Sequence, residues 1–146
     1  MSGSINPNSS QWSPYVISAA RIATALLFIQ HGLEKLWGFN GARMDHNFTS
    51  LHGIAGPIEV IGGSLLILGL FTRATAFILC GQMAVVYFIR WVPSGRWLPV
   101  NGSEEAVLFC FIYLWLFCAG GGPLSLDYLI EKRHRSETLD ATPVAT

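Results

Sequence analysis

The chain has 146 residues, of which 51% are hydrophobic and 12% charged, and its formal net charge is zero. Soluble domains carry about 25% charged residues, and disordered chains pair low hydrophobicity with high net charge. The composition therefore excludes disorder and is that of an integral membrane protein. Six of the eighteen Asp, Glu, Lys and Arg residues fall within positions 131–146, which leaves twelve for the preceding 130. A neutral chain with no Lys/Arg cluster in its apolar body offers no field for nucleic acid.

Residues 1–13 are polar and uncharged and read as an N-terminal tail. They carry no Lys or Arg, and the apolar stretch that follows is too long for the core of a cleavable signal peptide. Four apolar stretches come next, at 14–37, 51–70, 72–92 and 104–122. Each is near the roughly 20 residues that a helix needs to cross ~30 Å of hydrocarbon. Gly and Pro punctuate the joints at Gly38, Gly41, Gly69, Pro93, Pro99 and Gly120–Pro123. Trp12, Tyr15, Trp37, Trp91, Trp97 and Tyr128 lie near the ends, where amphipathic rings suit the headgroup layer. The expected fold is an all-α integral membrane four-helix transmembrane bundle over 14–130, followed by a solvated C-terminal tail at 131–146.

Four crossings put both termini on one side with Arg73, Lys132, Arg133 and Arg135. The other side holds Arg43 and Arg96 in loops, with Lys35 and Arg90 inside helix ends. The loop count of four against two places both termini in the cytoplasm.

Ionisable groups at membrane depth are costly and face the interior of a bundle. His31 lies six residues before Trp37 and Glu59 eight after Leu51. At ~1.5 Å per residue these sit roughly 9 and 12 Å below the same face. A carboxylate as deep as Glu59 must be paired or protonated, and both states serve proton-coupled chemistry. Glu59 and His31 are therefore the candidate catalytic residues, with Glu34, Lys35, Arg90, Asn101 and Glu104 as candidate binding residues near that face. Each also has a structural explanation: His31 as an interhelical hydrogen bonder, Glu104 as a helix-dipole partner, Glu34 and Lys35 as snorkelling groups.

Arg21 lies near the opposite face, where an ion pair with Asp127 would staple the first helix to the end of the fourth. The three cysteines, Cys80, Cys110 and Cys118, lie in helices three and four without a C-x-x-C and read as small hydrophobes. His31, His46 and His52 share one side but lack metal-ligand spacing, so no metal is expected. Gly62-Gly63 sits mid-helix, where small residues permit close helix approach.

The run Arg21…His31-Gly32-Leu33-Glu34-Lys35-Leu36-Trp37-Gly38-Phe39 is similar to the first-helix pattern of the DoxX family. Gly56-Pro57-Ile58-Glu59, Leu68-Gly69-Leu70-Phe71-Thr72-Arg73, Met83–Phe88, Asn101-Gly102-Ser103-Glu104 and Ser125-Leu126-Asp127 continue the resemblance in order. Two departures stand out. Arg90-Trp91 occupies the end of helix three, where the family often has a histidine, and Ser103 replaces the second glycine of the usual Asn-Gly-Gly-Glu. The resemblance implies a small four-helix protein of a bacterial inner membrane. Some relatives are subunits of thiosulfate–quinone oxidoreductases, so it also implies a subunit of a quinone-linked oxidoreductase system.

Under that expectation a quinone headgroup approaches His31 and Glu59 from the bilayer while a protein partner supplies electrons. The competing expectation is a non-catalytic scaffold that stabilises a larger membrane complex. A proton or small-solute pathway through Glu59 is a third, although no inverted repeat is visible.

Overall fold

A computed structural model describes residues 9–38, 50–93 and 103–140. Asn101, His46, Arg43 and Arg96 lie outside the described residues, as do residues 1–8 of the N-terminal tail. Among the described residues every regular element is helical. Helix α1 spans Ser9–Trp37, α2 Leu51–Leu68, α3 Thr72–Val86, α4 Glu104–Ala119 and α5 Leu126–Asp140, and a π-helical segment, Tyr87–Trp91, prolongs α3.

The boundaries have local causes. The Ser50 hydroxyl accepts the Gly53 N–H at 3.0 Å and caps the start of α2. That helix stops two residues short of the expected end because Gly69 turns left-handed at φ 66°. Gly69 N–H then bonds Leu66 O at 3.1 Å and Leu70 N–H bonds Leu65 O at 3.0 Å, which closes the last turn. The π segment is held by Val92 N–H on Tyr87 O at 3.2 Å, a five-residue step. It widens the helix where Arg90 and Trp91 must be presented.

Helix α1 packs along α2 and α3 along α4, while α2 also meets α3 and α1 meets α4. Ala25, Phe28, Leu66, Leu79, Tyr113 and Leu116 form the buried centre. The two glycines of the α2 pair serve different neighbours. A Cβ on Gly63 would lie 2.5 Å from Ile29 Cγ1 of α1, and one on Gly62 would lie 2.7 Å from Leu79 Cδ2 of α3. Small residues therefore set both helix spacings, as their mid-helix position suggested.

Four spans were expected; among the described residues Trp12–Trp37 and Thr72–Trp91 are long and apolar enough to cross a membrane, and Gly53–Leu68 is a shorter apolar helix. Helix α4, at 16 residues, rises only ~24 Å. Positions 131–140, expected as part of a solvated tail, continue α5 to Asp140, with the side chains of 131–138 exposed. Ser125 caps it by accepting the Tyr128 N–H at 3.2 Å, and Glu131–Arg135 and Arg133–Glu137 pair along its surface.

Candidate functional site

At the end where α1 finishes and α4 begins lies a cavity of about 300 Å³. Close approach of α1 and α2 brings its charged floor together. A Cβ on Gly32 would lie 2.7 Å from Val60 Cγ2, 2.9 Å from Gly56 O and 3.0 Å from Glu59 Cβ. One turn further along α1, the Lys35 ammonium reaches inward and forms an ion pair with Glu59 Oε1. The same oxygen accepts a hydrogen bond from Gln82 Nε2 of α3 at 3.1 Å. Glu59 is 1% exposed, and its other oxygen, Oε2, is buried with no hydrogen-bond partner. Gln82 Oε1 and the Tyr113 hydroxyl are buried without partners too. Buried polar atoms of this kind usually bond a protein group or ordered water; of the three residues Glu59 lines the cavity, so its Oε2 carries the bonding capacity nearest to a guest there.

His31 lines the cavity, but its polar neighbours lie at the rim. Its Nδ1 is 3.8 Å from Glu34 Oε2 and its Nε2 is 4.0 Å from Glu105 Oε2. Its ring stands edge-on to Phe109, with centroids 6.1 Å apart. Depth arithmetic put His31 and Glu59 at one level, and both do face the cavity. The direct charge partner of Glu59, however, is Lys35. Phe28, Met83 and Phe109 provide apolar walls, while the π segment contributes Arg90 and Trp91, with the guanidinium carbon 5.4 Å from the indole centroid.

Of the expected cluster, His31, Lys35, Glu59 and Arg90 share the cavity lining, and Glu34 reaches it through His31. Glu104 is exposed at the first turn of α4, and its neighbour Glu105 lines the cavity instead. Gln82, Glu105 and Tyr113 were not anticipated. A lone amide amid the apolar run of α3 was the signal available for Gln82.

The opposite end has a different construction. Arg21 is fully buried, yet its guanidinium meets no carboxylate directly. It donates to Gly121 O at 2.9 Å, Ile67 O at 2.8 Å, Leu124 O at 2.6 Å and also to Leu66 O. Leu66 and Ile67 belong to the last turn of α2, where carbonyls lack the usual i+4 amide; Leu66 O accepts the Gly69 N–H as well as Arg21. Asp127 accepts Phe71 N–H at 2.8 Å and Thr72 N–H at 2.7 Å, so it caps α3 from a distance. The expected Arg21–Asp127 ion pair is thus replaced by two backbone staples on one turn. Phe71 is left-handed and α3 has no side-chain cap of its own, which makes its first amides the stronger claim on Asp127.

The cysteines also differ from expectation. Cys80 and Cys110 meet across α3 and α4 with their sulfurs 3.6 Å apart, while Cys118 is exposed. Among the described residues no group of three or more His, Cys, Asp or Glu could hold a metal ion.

The DoxX family profile matches residues 16–91, which take in the Arg21 staple, Gly32, Lys35, Glu59 and the π segment. The chain belongs to the DoxX family. An uncharacterized protein of Haemophilus influenzae is 38% identical to it over 130 residues, covering 82% of this chain and 94% of its own. The inner membrane protein YphA of Escherichia coli is 32% identical over 126 residues, covering 78% of this chain and 89% of its own. No solved structure matches. In this DoxX chain Ser103 is buried at the start of α4, outside the cavity lining, whereas the other departure from the family pattern, Arg90-Trp91, lines the cavity.

Proposed function

We propose that this DoxX protein is a bacterial inner-membrane protein whose cavity binds a quinone headgroup, as part of a quinone-linked oxidoreductase system. The single observation that carries the reading is the buried Glu59–Lys35 pair with one free carboxylate oxygen, set in the floor of an aromatic cavity. The walls fit a flat carbonyl-bearing ring. Phe28, Phe109 and Trp91 offer apolar faces, and Lys35 and His31 offer N–H donors. A bound quinone supplies electron-accepting chemistry, with the electrons coming from a protein partner. Glu59 Oε2 is the atom that can hold or release a proton beside it, and Lys35 retains the counter-charge.

The membrane setting rests on several supports: the relative named as an inner membrane protein, two helices of spanning length and broad outward apolarity. Leu26, Leu27, Phe77, Ile78, Phe111 and Trp115 are exposed, and a surface of that kind suits hydrocarbon rather than water. In this setting α1 to α4 form the transmembrane bundle, both termini are cytoplasmic and the cavity opens toward the opposite side.

The test uses protein in nanodiscs with Trp91 as its single tryptophan, titrated with a tailless dimethoxy-methyl-benzoquinone. Saturable quenching of Trp91 fluorescence is expected. Quenching that only rises linearly with quinone concentration overturns the reading and leaves the scaffold role.

A further inference from the structure

Beside the cavity, between α3 and α4, lies a second hollow of about 290 Å³. Its lining includes Ala84, Phe88, Val107 and Phe111, and it carries no charged group. Phe88 and Phe111 are 66% and 65% exposed, so the groove opens on the outer face of the helix pair. Met83 and Ala106 line both hollows. They form a partition one side chain thick, with the Glu59–Lys35 floor on one side and the apolar exterior on the other. Met83 has three rotatable bonds and no polar hydrogen, which suits a partition that gives way.

We propose that the groove takes the linear apolar tail of the amphiphile whose headgroup sits in the cavity, the two being joined past Met83 and Ala106. The inference rests on the headgroup reading above and names its substrate class: a planar polar ring bearing a single long hydrocarbon chain, and not a free water-soluble ring. The occupant follows from continuity. A headgroup held against Glu59 must send its tail out of the polar cavity, and the shared wall leads directly into an apolar channel. Within a bilayer the tail gains little from leaving lipid for protein, so the groove acts as a route and a selector more than as a source of affinity.

Ala84 and Val107 line the groove and are absent from the cavity lining. Ala84→Phe and, as a second variant, Val107→Phe fill the groove from its outer side. The single-tryptophan protein and both variants are titrated with tailless benzoquinone and with its decyl derivative. Unchanged affinity for the tailless ring, with decyl-quinone binding weakened by about tenfold or more, is the expected result. If both probes bind the parent and filling the groove affects neither, or affects both equally, the groove is not the tail route. It then faces a lipid chain or a second copy. If neither probe binds the parent protein, the headgroup reading fails and the tail route falls with it. Melting temperatures within a few degrees of the parent verify that the variants are folded.

Discussion

Glu59 and Lys35 form the most consequential pair in the molecule, because removing one partner strands the other. Breaking a buried ion pair from one side costs ~3–5 kcal/mol, while replacing both charges with neutral groups is often close to neutral. Lys35→Met is therefore expected to lower the melting temperature sharply, and Lys35→Met/Glu59→Gln to recover most of the loss. Thermal unfolding of the two singles and the double in detergent measures this, and additive losses would show that the charges do not interact. Arg21 makes the contrasting case. Arg21→Ala leaves Ile67 O of α2 and Leu124 O of the α4–α5 turn without a donor and should cost roughly 2–6 kcal/mol. Asp127→Ala removes a cap worth ~1 kcal/mol. Because the two share a turn but not a contact, their coupling should fall well below that of a buried pair. Ionisable residues at depth were legible in the sequence because charge is rare there. Their partners were not, because a rise per residue fixes depth but not the direction in which a side chain leaves its helix. Lys35 has a stem long enough to reach a carboxylate that depth alone assigned to His31.

Helix identity was the more readable level, and the helix ends were the less readable one. The apolar runs located α1 to α4, but Gly69 and Gly120 end α2 and α4 earlier than hydrophobicity alone suggests. Both have left-handed φ values, 66° and 82°. Helix α5 escaped notice because its polarity resembled a solvated tail, although the Glu131–Arg135 and Arg133–Glu137 spacing was present in the sequence. The proximity of Cys80 and Cys110 was invisible for another reason, since thirty positions separate them and only the packing of α3 on α4 joins them. Glycine placement offers the clearest test at this scale. Gly32→Ala puts a methyl within 3 Å of Val60 and Gly56 and should cost ~1–3 kcal/mol through overpacking. Gly81→Ala meets nothing within 4 Å and should stabilise α3 by ~0.5–1 kcal/mol. The two melting curves should move in opposite directions.

At the scale of the whole molecule, the two ends are chemically distinct. One end is tied together by Arg21 and Asp127 on backbone groups, beside a hollow lined by Thr72, Arg73 and Gly120–Pro123. The other is a cavity floored by a charge pair with an uncommitted oxygen. Under the proposed orientation the first faces the cytoplasm. In protein stripped of its native cysteines, Pro93→Cys should react with an impermeant maleimide on intact cells, and Ser136→Cys should react only after lysis. Labelling in the reverse pattern would invert the orientation. The central claim is that the Glu59–Lys35 pair serves a ligand and is not merely a packing device. Its most direct measurement combines the double variant Lys35→Met/Glu59→Gln with the Trp91 quenching titration. The variant should melt close to the parent yet bind tailless benzoquinone about tenfold more weakly or not at all. Parent-like binding by a folded double variant would contradict the claim.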